Sequence, residues 1–364
     1  MDDDADNDAD NDADNGAEDE AGNGAASRPH GAEPAAGAKP PGAEPGAGPG
    51  AGPGDGDVEV PAGTALAEAL VDLAVPYEDV NAVLAARAAL DREPDLAQVL
   101  RTQVRELVRD MGVVGGGPGG GPQLGPRLEA LPDRGPAGQW LPLLVLVAAR
   151  PYTLAHHRAR GIDPEVSRRT LADTGRHVTV HRRRHGSPGA ADLRWLGRLF
   201  RGALYQVGRL QYERTRLGGA TGRALADAGL PLGPGDPVLA LHVPDFTGPL
   251  DPAACDASLA RAREFFARHF PDEPYTVVTC HSWLLDAQLA DHLPADSNIV
   301  RFQRRFRPAC GRDEPDDRTT IGFVFGDPDL DPAALPGRTA LERAVRDHLA
   351  AGGHWRPGAG WLPL

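Results

Sequence analysis

Two histidines and their neighbours carry the residue types and spacing that chemistry needs. The stretch "CHSWLLD" at 280–286 sets a thiol, an imidazole, a hydroxyl and a carboxylate within seven positions, and His242 closes the apolar segment "PVLALHVP" at 237–244. An imidazole titrates close to neutral pH, so His242 is suited to taking a proton from a nucleophile. The alternative is a histidine hydrogen-bonded in the polar margin of a sheet. An adjacent Cys–His pair can form an activated nucleophile, but successive side chains of an extended chain point to opposite faces. Thr279, His281 and Trp283 then share one face, and Cys280, Ser282 and Leu284 share the other. Cys280 and His281 therefore point apart, and Cys280 is expected as a small buried hydrophobe. His281 or Ser282 can donate a proton or orient a carbonyl; each equally suits a strand end that caps the following helix. Asp286 is expected in that capping role.

Other clusters offer weaker chemistry. Arg301 and Arg305 share a face of the strand-like segment "NIVRFQRRF" at 298–306 and can meet phosphate oxygens bidentately, or pair with acidic side chains on a solvated edge. Ser297 and Asn298 either contact a substrate or fix the turn before it. His177, His181 and His185 repeat at metal-ligand spacing, but no carboxylate completes the set and the interleaved "RRR" repels a cation, so no metal is expected. That basic stretch lacks interleaved aromatics, and no nucleic-acid partner is expected. "RLGGATG" at 216–222 reads as a plain turn, and the absence of a GxSxG elbow argues against a hydrolase.

The elements that must position these groups follow from composition and period. Residues 1–57 hold 15 acidic and two basic side chains, which leaves the rest of a chain of net charge −14 close to neutral. Almost without large apolar residues, this acidic and Pro/Gly-rich segment is expected to be a disordered tail. Residues 58–194 show helical periodicity, with Leu66, Leu70 and Leu73 on one stripe and Asp163–Pro164 as a cap and first-turn pair. Residues 195–364 change to strand-like segments at 203–214, 237–244, 275–284, 298–306 and 319–326. A helix capped by Asp251 carries Cys255, Leu259, Ala262 and Phe266 inward, and a shorter helix covers 287–292. Residues 310–317 read as the hairpin connection between the last two strands. The fold class is α+β: a helical domain followed by a mixed sheet flanked by helices.

Lys39 is the only lysine, and the bias to Ala, Gly, Pro and Arg suggests a GC-rich, actinobacterial source. The longest apolar run, 140–149, is about half of what a membrane span needs, so no membrane partner is expected. Three cysteines without a recognisable signal peptide suggest reduced thiols and a cytoplasmic location.

The phrases "GRLQYE", "LHVPDFTGPL", "CDASLARAREFFARHFP", "CHSWLLD", "LPADSNIVRFQRRF" and "GWLPL" resemble a bacterial family of two-domain proteins over residues 58–364. Its members have a helical N-acyltransferase N-terminal domain and a GNAT-like C-terminal domain. The resemblance implies an acyl-CoA-dependent N-acyltransferase acting on a small-molecule or peptide amine, with two central strands splayed to admit the pantetheine arm. His242 would be the general base, and His281 or Ser282 would protonate the leaving thiolate. The pyrophosphate loop would be residues 244–250, bringing in Asp245, Phe246, Thr247, Gly248 and Leu250, with Arg301 and Arg305 as further phosphate contacts. This loop has one glycine where the family pattern has several, and Asp245 and Asp251 add negative charge. The alternative function is therefore a non-catalytic, GNAT-like ligand-sensing or interaction protein.

Overall fold

The computed structural model describes residues 58–115, 131, 134–190, 192–309 and 314–364. The expected disordered tail, most of the glycine-rich break that follows residue 114, and Cys310 with the start of the expected hairpin lie outside the described residues. Among the described residues, no helix is long and apolar enough to cross a membrane.

The first half is helical: α1 (Gly63–Asp72), α2 (Tyr77–Leu90), α3 (Pro94–Arg109), α4 (Gly135–Gln139), α5 (Leu141–Ala159), α6 (Pro164–Leu171), α7 (Asp173–His185) and α8 (Leu193–Phe200). Residues 141–149 of α5 are apolar on every side, and a helix of that pattern must be buried on every side; all nine are. Helices α1, α2, α3 and α8 pack around it. Helix α3 contributes Leu96, Leu100, Val104 and Leu107 at helical spacing, and α8 contributes Leu193, Leu196, Leu199 and Phe200. Local caps set the boundaries that matter for the site. Asp163 accepts from Glu165 N at 2.7 Å and starts α6, and Asp192 accepts from Trp195 N at 2.8 Å and starts α8. Gly186, in the left-handed region at φ 63°, ends α7.

The second half forms a six-stranded mixed sheet in the order β1-β2-β3-β4-β6-β5. Its elements are β1 (Leu204–Val207), β2 (Leu210–Arg216), α9 (Gly219–Asp227), β3 (Pro237–His242), α10 (Pro252–His269), β4 (Val277–Ser282), α11 (Leu289–His292), α12 (Asn298–Gln303), β5 (Arg307–Pro308), α13 (Asp317–Phe325), α14 (Ala340–Ala350) and β6 (Gly358–Pro363). Among the described residues, only β3 and β4 pair in parallel. Asp251 caps α10 through Ala254 N at 2.9 Å, as expected, and the expected stripe of Cys255, Ala262 and Phe266 is buried against Tyr212, Leu239 and Leu241.

Several expected elements differ. The strand-like run at 203–214 is a hairpin, turned at Gly208 (φ 72°) and Arg209; a Cβ on Gly208 would sit 3.2 Å from the Ser258 side chain. The segment 298–306 opens as helix α12 because Ser297 accepts from Val300 N at 3.3 Å, so Ser297 serves as a cap. Likewise 319–326 lies in α13, capped by Asp316 through Thr319 N and ended by Gly326 at φ 88°. In both places the β-branched and aromatic residues that suggested strands are outweighed by terminal hydrogen bonds. The terminal "GWLPL", given no element from sequence, supplies the core strand β6.

The two halves are pinned together by Arg214, which is fully buried. Its guanidinium donates to Gly202 O at 3.0 Å and Gly112 O at 3.3 Å, pairs with Glu273, and lies 4.0 Å from the centre of the Phe270 ring.

Candidate functional site

All six residues of β3 pair with β2, and all six of β4 pair with β6. Between β3 and β4 only Leu239 with Val278 and Ala240 with Thr279 are in register. The two central strands therefore start side by side and diverge toward their C-terminal ends, at His242 and Ser282. Register partners share a face, so His242 and His281 face the same side of the sheet, along with Gln211 and Glu213 of β2. Leu239, Leu241, Val278 and Cys280 face α10.

On the histidine face, the helical half closes over the end of β3. His242 Nε2 lies 3.1 Å from Glu213 Oε2, and Arg198 donates to the same oxygen at 3.3 Å. A carboxylate only accepts, so Nε2 carries the proton and the imidazole lone pair resides on Nδ1. Burial opposes ionisation of Glu213, yet the His242 hydrogen bond and the charges of Arg198 and Arg201 outweigh it and hold its pKa below the ordinary glutamate value. Trp195 meets the His242 ring edge-to-face, with centroids 4.7 Å apart. The indole is itself fixed by Asp173, a fully buried carboxylate. Asp173 accepts from Trp195 Nε1 at 2.8 Å, from Gln211 Nε2 at 3.1 Å and from Arg176 Nε at 2.7 Å. Burial opposes its charge too, but Arg176 beside it keeps the pKa below the usual aspartate range. One buried anion thus ties α7, α8 and β2 around His242.

A family described as "N-acyltransferase N-terminal domain" matches residues 64–202, and one described as "GNAT-like C-terminal domain" matches residues 204–362. A solved structure of an acyltransferase in complex with decanoyl-CoA and teicoplanin is 37% identical, with a TM-score of 0.74, covering 86% of this chain and 92% of that one. The chain belongs to this family of two-domain acyltransferases. An acyltransferase in complex with CoA and 10C-teicoplanin is similar at 36% identity, with the same TM-score and the same coverage. No match was found among curated proteins.

The expected site residues of this acyltransferase have distinct fates. His242 stands in the network above. His281 is exposed across the opening, with Nε2 3.4 Å from Thr221 Oγ1 of α9. Ser282 is committed elsewhere: its hydroxyl accepts from Leu284 N at 3.2 Å and starts a short 3₁₀ turn, Trp283–Leu285. Cys280 is buried, and burial pushes its thiol up to about 12. Asp286 accepts from Gln288 N at 2.9 Å and from Arg356 N at 2.7 Å, joining the β4 turn to the approach of β6.

In the loop after β3, Asp245 lies 3.8 Å from Arg176, Phe246 is 44% exposed, Gly248 has φ 86°, and Leu250 is buried in the sheet core. Thr247 Oγ1 accepts from Arg209 Nη1 at 2.7 Å, and Arg209 also donates to Pro244 O and Pro249 O at 2.9 Å each. The loop is therefore shaped by a buried guanidinium in place of a series of glycines. Arg301 and Arg305 do not share a strand face, because the segment starts as α12. Arg301 is exposed, while Arg305 donates to Pro252 O at 2.9 Å and Asp256 Oδ1 at 2.7 Å, bracing the start of α10. Among the described residues no group of His, Cys, Asp and Glu is arranged to hold a metal ion.

Glu213, Trp195 and Asp173 were not singled out from sequence. Glu213 had a usable signal: in "GRLQYE", period two places it with Gln211 on one strand face, a carboxylate where a half-buried strand has little reason to carry one.

Proposed function

We propose that the chain transfers an acyl group from acyl-CoA to an amine, with the donor thioester entering where β3 and β4 diverge. The observation that carries this reading is the two-pair ladder between those strands, with His242 and its Glu213 partner at the opening. The amine nitrogen attacks the thioester carbonyl while His242 Nδ1 takes its proton. Glu213 stabilises the imidazolium that forms. Main-chain N–H groups of β4 beyond its last partner in β3 would polarise the carbonyl oxygen. As the tetrahedral intermediate collapses, the C–S bond breaks and the thiolate takes up a proton, a role we assign to His281 because it lies on the same face across the opening. One of the two similar acyltransferase structures holds decanoyl-CoA and teicoplanin, and the other holds CoA and 10C-teicoplanin; by that similarity we assign a medium-chain donor and an amine on a teicoplanin-like acceptor.

The acidic residues that favoured a non-catalytic role are both engaged: Asp245 lies beside Arg176, and Asp251 caps α10. The test is calorimetric titration with decanoyl-CoA, followed by thiol-release kinetics with teicoplanin-type amines. Micromolar binding with amine-dependent CoA release is expected. Absence of binding at millimolar decanoyl-CoA would move the chain to the sensing reading.

A further inference from the structure

The β4 side of the opening ends in an aromatic pair that the mechanism above does not use. Ser282 is extended (φ −164°, ψ 148°), so Trp283 leaves the chain on the face of His281, roughly 6.6 Å further along. Trp283 is half-buried against a cluster that includes Leu289, Val300 and Val345. The Phe323 ring of α13 stacks on it, with centroids 6.3 Å apart and planes 24° apart, an arrangement aromatic rings favour. The Trp283 indole N–H makes no hydrogen bond among the described residues.

Helix α13 is fastened at this end of the sheet. Asp316 N donates to Trp355 O at 2.8 Å, and Asp317 accepts from Trp355 N at 2.7 Å, just ahead of β6. The second residue of β6, Ala359, is the register partner of His281. The helix turns Ile321 inward, and Val324 and Phe325 pack on the same cluster as Trp283, yet Phe323 is 57% exposed. Isolated apolar side chains on a surface are ordinary. A phenylalanine stacked on a second aromatic, beside an exposed histidine at the mouth of the site, is a ready contact for a third ring.

We propose that Trp283 and Phe323 determine acceptor specificity: they form a shelf for an aromatic ring that the acceptor carries near its amine, and the indole N–H donates to a carbonyl or hydroxyl beside that ring. The proposal rests on the acyl-transfer reading. The donor is not the occupant, because its phosphates are expected at the loop after β3 and at α10, and α10 packs on the other face of the sheet. The shelf, continuous with His281 on the histidine face, is left to the acceptor.

The test compares 4-phenylbutylamine with hexylamine, amines of similar length and basicity that differ in the ring, as acceptors for decanoyl-CoA. In the wild type the ratio of their kcat/KM values favours the aromatic amine. In Phe323→Ala that ratio falls about tenfold, the size of one lost stacking contact, while Kd for decanoyl-CoA is unchanged. Phe323→Leu keeps an apolar side chain without a ring and gives the same fall, and it decides the matter should Phe323→Ala not fold. A purely structural role for Phe323 would lower both rates together and leave the ratio alone. Binding supplies a readout without turnover: millimolar 4-phenylbutylamine should raise the Tm of the wild type more than hexylamine does, and the variants should lose the difference. A wild type whose Tm responds equally to the two amines, or a folded variant that keeps the wild-type ratio or Tm difference, overturns the proposal. A wild type that releases no CoA with either amine would sink the acyl-transfer reading, and the Tm comparison would still decide the shelf.

Discussion

Replacing Glu213 by Gln is the sharpest test of how His242 works. The carboxylate lies 3.1 Å from Nε2, so with an effective dielectric constant near 20 the bare attraction between imidazolium and carboxylate is about 5 kcal/mol. That figure is a ceiling, because the His242 side chain is 26% exposed and Gln keeps a hydrogen-bonding oxygen. A net loss of about 1.5–3 kcal/mol, as for a hydrogen bond to a charged group, is the better measure. At 1.36 kcal/mol per tenfold in rate, kcat should fall roughly 10- to 150-fold. The loss belongs to kcat, because the imidazolium exists only once the amine has given up its proton; Kd for decanoyl-CoA should be unchanged. Since the Glu213 pKa is held below its ordinary value, the carboxylate stays charged well into the acid range. Its contribution is present above the ordinary glutamate pKa and is lost only as pH falls through the lowered one. Thiol-release kinetics between pH 6 and 9, with circular dichroism as the folding control, make the measurement. A folded Glu213→Gln enzyme with kcat within twofold of wild type would refute the reasoning.

Further outcomes follow from the same geometry. His242→Ala should lower kcat/KM by about 10²- to 10⁴-fold; an unchanged value in a folded protein removes His242 from the mechanism. His157 is buried and its pKa is lowered by that burial to about 3, so the folded state refuses a proton that the unfolded chain accepts near 6.5. Its stabilising contribution is complete above about pH 6.5 and is lost on descending toward 3, at up to about 1.4 kcal/mol per pH unit. Urea midpoints between pH 7 and 4.5 should show that slope in the wild type and a flatter one in His157→Gln; identical slopes contradict it. Glu273→Gln breaks the pair with buried Arg214 and should cost about 3 kcal/mol, the low end for such pairs because Glu273 is 28% exposed; a urea titration reads it. Cys280, with its thiol near 12, should resist iodoacetamide at pH 8 until the protein is unfolded, as peptide mapping would show.

What the sequence made legible was whatever depends on near neighbours. The caps at Asp163 and Asp251, the buried α10 stripe and the opposed faces of Cys280 and His281 needed only local hydrogen bonds and periodicity. The segments at 298–306 and 319–326 misled for a physical reason: Ile299, Val300, Phe302 and Phe323 favour strands on average, but Ser297 and Asp316 each satisfy first-turn N–H groups and commit the chain to helices. Arg301 and Arg305 consequently lie one helical turn apart, where Arg305 donates to Arg301 O at 3.2 Å and braces α10 through Pro252 O and Asp256. The network at His242 was out of reach for another reason. Asp173, Trp195, Glu213 and His242 belong to four elements, and only tertiary packing makes them neighbours. The fact that β3 and β4 share just two register pairs is likewise a property of the assembled sheet, which residue preferences do not encode.

That short ladder has a consequence for how the protein meets its donor. Beyond Ala240 and Thr279 the sheet contains an edge in its own interior, with main-chain groups of two strands looking into a wedge. Such groups seek partners. A linear molecule punctuated by amides can lie in the wedge and be stitched in as a temporary seventh strand, so that substrate binding finishes the fold. Of the successive amides at Leu241 and His242, which point to opposite sides of β3, the one that faces the wedge should then exchange with solvent more slowly once the donor is in place, and the protein should melt later by the linkage that any ligand exclusive to the native state confers.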